Sequence, residues 1–184
     1  ELDWLEHLFG GQITVRHECA SSRPTDCPIV IVQRPYWQET IHMLKTWSAA
    51  GVRFKLLHLS DEFCTDPTGF YELPGCMGVL RNYTRPSVNG GTVIPLGYHW
   101  AKPAEGQAPA PTRSLTWSFA GTDWNGRGDA LAVLPSASSS LKLFAKWQDP
   151  AALTQEAYLA LLSDSIFAPC PAGNNPETFR LYEA

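Results

Sequence analysis

Two stretches of this chain carry the residue types from which a site for a phosphorylated ligand can be built, and a third carries a pair of carboxylates. The run Ser165-Ile166-Phe167-Ala168-Pro169-Cys170-Pro171-Ala172-Gly173 reads as a buried strand and a turn, and Thr178-Phe179-Arg180-Leu181-Tyr182-Glu183-Ala184 as a helix start with one arginine and one glutamate. A fresh helix N-terminus at the carboxyl end of a parallel strand can offer free N–H groups to phosphate, although the same layout also occurs without a ligand. Phe119-Ala120-Gly121-Thr122, followed by Asp123 to Arg127, repeats the theme. Gly121 permits close backbone approach, Thr122 can donate a hydrogen bond and the Arg127 fork can chelate a diphosphate; the plain alternative is a turn with a surface arginine. Glu183, one helical turn after Arg180, suits a ribose diol.

Ser60-Asp61-Glu62 follows an apolar run ending at Leu59. Adjacent carboxylates at a strand end can hold a general base near a hydroxyl, one orienting the other or raising its pKa by like-charge repulsion. The alternative is a helix cap, with Ser60 or Asp61 starting a short helix. Tyr98, His99 and Trp100 lie just beyond another strand-like run, where aromatics stack on a sugar or base or pack one domain on another. No Asp-x-Asp pair of the kind that holds a catalytic divalent ion on a diphosphate occurs, so the expected reaction needs no metal.

Alternating elements must position these residues. Pro28–Gln33 reads as a buried strand, Gln38–Ala50 as a helix with Ile41, Leu44 and Trp47 on one face and Gly51 as its stop, and Arg53–Leu59 as the next strand. This βαβ unit predicts a parallel sheet with a right-handed crossover, extended by strands at 77–83 and 92–97. Pro, Ala, Gly and Gln dominate between Ala101 and Arg113, the best candidate linker. The alternation then resumes with strands at 115–120, 141–144 and 166–170, helices at 127–134 and 154–163, and a small-residue loop tip over Pro135–Ser140.

At 184 residues, 44% hydrophobic and 17% charged, the chain is globular, with one good core or two small ones. A net charge of -4 excludes a broad nucleic-acid or anionic-membrane surface, so phosphate must be met by a few placed cations. No apolar run approaches the roughly 20 residues of a membrane span. Cys19 with Cys27 and Cys64 with Cys76 are spaced to close two short disulfide loops, against the alternative of reduced thiols, and Cys170 reads as a buried thiol. Asn82-Tyr83-Thr84 is a glycosylation sequon that suits a luminal setting if Asn82 is exposed.

Taken together, the Phe119–Thr122 turn with Arg127, the Tyr158–Pro171 segment and the Arg180-Leu181-Tyr182-Glu183-Ala184 end resemble the exostosin-type glycosyltransferases. The pattern Ser-x-Phe-x-x-x-Pro-x-Gly leading to Arg and Glu-Ala is matched at Ser165, Phe167, Pro171, Gly173, Arg180, Glu183 and Ala184. Leu59–Glu62, Leu80–Tyr83 and Ile94–Tyr98 are similar to the branch of ribitol xylosyltransferase-like proteins. The resemblance implies an α/β chain of two Rossmann-like domains in the GT-B arrangement. An acceptor-side domain would span 1–105, a linker 106–114, and the start of a truncated nucleotide-sugar domain 115–184. It implies sugar transfer with inversion from a nucleotide donor, usually UDP-linked, to a glycan or glycoprotein hydroxyl, with no essential cofactor. Arg127 and Arg180 would neutralise the diphosphate, with Gly121 and Thr122 at the first turn. Glu183 would accept from the ribose, and the turn from Gly173 to Thr178 would cap phosphate or base. Glu62, with Asp61, would be the base, by position rather than by motif.

The family continues past Glu-Ala with a further strand and helices, and its turn often carries a Trp or Ser where this chain has Asn174-Asn175-Pro176, which leaves the donor sugar open. The setting implied is the Golgi lumen, as part of a type II membrane protein anchored outside this segment, or the secretory pathway or extracellular space. The alternatives are an inactive glycosyltransferase-like module, structural or glycan-binding, in a larger assembly, and a two-lobed sugar binder that uses no nucleotide.

Overall fold

The computed structural model describes residues 2–11, 24, 26–59, 61–88, 90–99 and 112–184. Helices and parallel sheets alternate, so the chain is an α/β protein. It divides into two compact units, one of Ile13–Leu96 and one of Glu1–Gln12 with Gly97–Ala184. Most of the expected linker, and Trp100, lie outside the described residues.

The Ile13–Leu96 unit holds strands β1 (Ile29–Val32), β2 (Phe54–His58), β3 (Cys76–Arg81) and β4 (Thr92–Val93), all parallel and in that order across the sheet. Helix α2 (Trp37–Ala49) connects β1 to β2, and Gly51, at φ 73°, turns the chain out of it in a conformation that costs glycine little. Its Leu44 and Trp47 pack on Val32, Phe54, Leu56 and Val79 to form the core. Burying each such side chain stabilises the unit by roughly 1.5–3 kcal/mol. β4 is shorter than the 92–97 run expected, because Pro95 has no N–H to continue the ladder after Ile94 donates to Arg81.

The other unit begins with helix α1 (Leu2–Leu8), which the sequence reading did not anticipate; its Trp4 ring lies against Gly97, at φ 76°, where any Cβ would collide with it. The sheet comprises β5 (Leu115–Thr122), β6 (Ser139–Phe144) and β7 (Ser165–Phe167), parallel and in the order β6-β5-β7. α3 (Arg127–Ala132) joins β5 to β6 and α4 (Gln155–Ser163) joins β6 to β7. Alternate residues of β5 bury against these helices, Trp117 and Phe119 with Leu131 of α3, and Ala120 with Tyr158 and Leu162 of α4. Both faces of β5 are therefore covered, as its near-continuous apolar run requires. β6 begins at Ser139, inside the stretch expected as a loop tip, and β7 stops at Phe167 rather than reaching Cys170, ahead of two prolines that cannot donate.

The first connection runs from β5 to β6 on one side, and the next returns from β6 past β5 to β7 on the other. The carboxyl ends of β5 and β7 thus flank a topological switch point, where the diverging loops leave a crevice. The four-stranded sheet adds every strand on the same side and has no such reversal.

Candidate functional site

A cleft of about 350 Å³ opens at the carboxyl ends of this three-stranded sheet. It is lined by Gly121 and Thr122 from the end of β5, by Arg127 at the start of α3, and by Thr178, Arg180 and Glu183 around the single turn α5 (Arg180–Glu183). Six of the seven residues expected to hold a donor thus share one cavity. The seventh, Gly173, touches it through Arg127, whose guanidinium lies where a Gly173 Cβ would be.

The two arginines share one aromatic support. The Arg180 guanidinium carbon sits 4.0 Å from the Phe119 ring centroid and that of Arg127 6.0 Å from the same ring. Gly121 makes this possible, since a Cβ there would come within 3.0 Å of Phe119 and 3.4 Å of the Arg180 guanidinium. Arg127 is anchored through Nε to the Ala172 carbonyl at 3.0 Å and through a terminal nitrogen to the Thr122 carbonyl at 3.2 Å. Arg180 is 9% exposed and donates to the Ala120 carbonyl. Burial first, and the Arg180 charge second, lower the Arg127 pKa, with Asp123 opposing them.

Neither guanidinium forms an ion pair with a carboxylate among the described residues. Among the described residues two buried side-chain polar atoms lack a hydrogen-bond partner, Arg180 Nε and Thr178 Oγ1, and both residues line this cleft. Desolvating a donor without a partner costs about 1–3 kcal/mol, more when it is charged, so the cleft holds unspent donor capacity and positive charge together.

Glu183 is 8% exposed; one carboxylate oxygen accepts from the His99 backbone N–H at 3.0 Å and the other from the Tyr158 hydroxyl at 3.1 Å. Burial pushes the Tyr158 pKa up and Glu183 adds to the rise, against the Arg180 charge, so the hydroxyl stays a neutral donor. These two donors hold the carboxylate in place.

The helix N-terminus expected to meet phosphate is absent in that form. α5 is four residues long, and the N–H groups of Leu181 and Tyr182 already donate to the Thr178 and Phe179 carbonyls. The turn before it is also tied internally. The Gly173 carbonyl accepts from Asn125, Asn174 from the Trp124 indole, and the Gly173 N–H donates to the Asn175 carbonyl. Side chains, not backbone amides, give this cleft its donors.

Asp61 and Glu62 separate in role. Asp61 is 1% exposed, accepts from Arg81 at 2.7 Å and Arg85 at 3.3 Å through one oxygen, and takes the Asp66 N–H at 2.9 Å on the other. Burial alone would raise its pKa, but the Asp66 amide and the Arg81 guanidinium outweigh it and hold the carboxyl below its ordinary range. This corrects the expectation of a pKa raised by like-charge repulsion, and an ion-paired, buried carboxylate is a poor proton acceptor. Glu62 is half-buried in the turn that follows, without an ion-pair partner among the described residues. No helix begins at Asp61, and Ser60 lies outside the described residues.

The rest of this edge is a closed network. Asp66 accepts from Arg34 at 3.1 Å and faces His58 Nε2 at 3.3 Å, and His58 Nδ1 meets the Tyr71 hydroxyl at 2.6 Å. Burial lowers the His58 pKa against the pull of Asp66 and Asp61, and pushes the Tyr71 hydroxyl up to about 12.

The disulfide expected between Cys64 and Cys76 is not formed; Cys27, Cys64, Cys76 and Cys170 are free, and Cys19 lies outside the described residues. Cys76 opens β3 at the amino end of the sheet while Cys64 sits by the Thr84 carbonyl beyond its carboxyl end, about a strand's length away. Asn82 of the sequon is 3% exposed and donates to the Pro95 carbonyl at 3.0 Å, which closes it to modification in the folded chain. Among the described residues no helix is long and apolar enough to cross a membrane, and no group of three His, Cys, Asp or Glu is placed to hold a metal ion.

Sequence reasoning passed over Phe119 as the arginine platform, Tyr158 as the clamp on Glu183, and the segment after β6, where Lys146, Trp147 and Gln148 line the same cleft. The rule that ligands sit just beyond strand ends pointed to that last segment. Comparison with protein-family models, with curated proteins and with solved structures found no match to this chain.

Proposed function

We propose that the cleft of the three-stranded unit binds the diphosphate of a nucleotide-sugar donor, and that the protein is a glycosyltransferase with two Rossmann-like domains of the exostosin type. The observation that carries the reading is the pair of arginines on Phe119 with no carboxylate partner among the described residues, beside Arg180 Nε and Thr178 Oγ1, which have no hydrogen-bond partner there. A diphosphate supplies both the charge and the acceptors that these groups lack. Glu183, oriented by Tyr158 and His99, is set to accept from the ribose hydroxyls.

In transfer, the acceptor hydroxyl oxygen bonds to the anomeric carbon as the bond from that carbon to the diphosphate oxygen breaks and takes its electron pair. Negative charge grows on the leaving diphosphate, so fixed cations stabilise the transition state more than the bound donor. The acceptor proton needs a base, and the assignment of Glu62 to that role rests on its position in the sequence alone. The secretory-pathway setting and the glycan acceptor rest on the resemblance alone. The test is release of UDP from a panel of UDP-sugars with and without glycan acceptors. Turnover by the native chain that is lost in Arg127→Lys and Glu62→Gln supports the reading, and turnover unchanged in both variants overturns it.

A donor-binding module without transfer chemistry is the second reading. Asp61 favours it, since the better buried of the two carboxylates is committed to Arg81 and Arg85. Nucleotide binding without turnover on any acceptor would decide for it.

A further inference from the structure

The cleft has a second wall that the diphosphate reading does not use. Beyond Phe144, at the end of β6, Lys146, Trp147 and Gln148 line it, followed by Ala152 and Leu153. Trp147 is 70% exposed. A bare indole face in a cavity that also holds unneutralised cations forgoes the burial an aromatic ring usually gains, which a flat ligand would restore.

The segment that carries this ring is fixed at both ends. Asp123 N–H donates to the Phe144 carbonyl at 2.9 Å, prolonging the β5–β6 ladder to the point where the segment leaves the sheet. Asp149 then closes a turn, its side chain accepting from the Ala151 N–H at 2.9 Å and its carbonyl from the Ala152 N–H at 2.8 Å, and the Thr154 hydroxyl caps α4 at the Ala157 N–H. Gln148 between them holds φ at 56°, a conformation that a non-glycine residue keeps where its surroundings enforce it. Trp147 is therefore a presented platform on an anchored turn.

We infer that Trp147 is the stacking surface for the base of a nucleoside diphosphate whose phosphates meet Arg127 and Arg180 in the same cleft. This rests on the diphosphate reading and adds the ligand's other end. Thr122 and Phe144, the last residues of β5 and β6, are paired across the ladder, and neighbouring strands lie about 4.8 Å apart. Arg127 follows one strand end and the indole the next, an arrangement that a single nucleotide spans. Phe144 and Leu153 add apolar contact to the ring's surroundings, and Lys146 keeps the rim positive.

The test is calorimetric titration of the intact chain with inorganic pyrophosphate, UDP and UDP-glucose, in the native protein and in Trp147→Ala and Trp147→Phe. Because Trp147 is exposed, both variants should fold. UDP should bind the native protein more tightly than pyrophosphate, and Trp147→Ala should weaken UDP about 5- to 100-fold while leaving pyrophosphate within about twofold. Trp147→Phe should restore most of the UDP affinity but lose the ligand-induced fluorescence change. UDP binding unmoved by Trp147→Ala overturns the inference and leaves the diphosphate reading standing, as does UDP no tighter than pyrophosphate. Equal weakening of both ligands also overturns it, and so does a loss confined to UDP-glucose, which would put the donor sugar on the indole. If neither pyrophosphate nor UDP binds the native chain, the diphosphate reading and this inference fall together.

Discussion

Each unit gathers arginines at the carboxyl edge of a parallel sheet, and they are used in opposite ways. In the four-stranded unit Arg81 and Arg85 converge on Asp61, and Arg34 meets Asp66, at 2.7–3.3 Å. Asp61 and Asp66 each have their cations, and this part of the edge is closed. In the three-stranded unit Arg127 and Arg180 lie over one phenyl ring with no such partner among the described residues, and the edge is an open cleft. Topology explains part of the contrast, because the order β6-β5-β7 reverses direction at β5 and makes a crevice that the sequential β1-β2-β3-β4 order does not. Arginine at a strand end is therefore no sign of a site. Arginine at a switch point without a counter-charge is one.

The contrast breaks most visibly through Asp61. Replacing it by Ala leaves Arg81, buried beside Tyr71, without its carboxylate, and should cost about 3–5 kcal/mol in denaturant unfolding. Loss of less than about 1 kcal/mol would mean the network is not holding that edge.

Arg180→Met is the mirror experiment. It removes a buried cation that has no ion-pair partner among the described residues and relieves its repulsion of Arg127, so unfolding should shift by no more than about 1–2 kcal/mol despite the lost contact with Phe119. Diphosphate affinity should nevertheless fall at least about 100-fold, the scale of a charge-assisted contact with a desolvated donor.

Gly121→Ala should sit between structure and ligand. Its Cβ would crowd Phe119 at 3.0 Å, tilting the platform under both guanidiniums, and affinity should fall about tenfold with a stability loss near 1 kcal/mol. The smallest effect is on pH dependence. His58 has its pKa lowered from 6.5 in the folded chain, so the unfolded state takes up the proton first as the pH drops. Stability from this group is present above pH 6.5 and lost as pH falls below it, at a slope of at most about 1.4 kcal/mol per pH unit. His58→Gln should flatten that part of the melting-temperature profile. Asp61, also lowered, adds its own loss below pH 3.8.

Much of the scaffold was legible because apolar periodicity and stop signals coincide. α2 begins and ends one residue before its expected bounds, just ahead of Gly51, and α4 begins after the Thr154 cap. Strand ends were less legible where proline decides them, as at Pro95 and after Phe167. Helix α1 was missed because Leu2–Leu8 gives too few turns to show a period, and its burial depends on Trp4 meeting Gly97, far along the chain. In the cleft, Arg127, Arg180 and Glu183 were readable as charges close to strand ends. That Asp61 would be neutralised depended on Arg81 and Arg85, some 20 positions downstream and invisible to local spacing. The exposure of Trp147 is likewise a tertiary property, which no composition or period carries.

The central proposal is that Arg127 and Arg180, which have no carboxylate partner among the described residues, are paired by a diphosphate. Titrating UDP calorimetrically into the native chain and into Arg180→Met, with unfolding measured on both, tests it most directly. The account predicts saturable one-site binding by the native protein and its loss in a variant that remains as stable. A folded native chain that takes up no UDP, or an Arg180→Met variant that binds UDP as well as the native one, would contradict it.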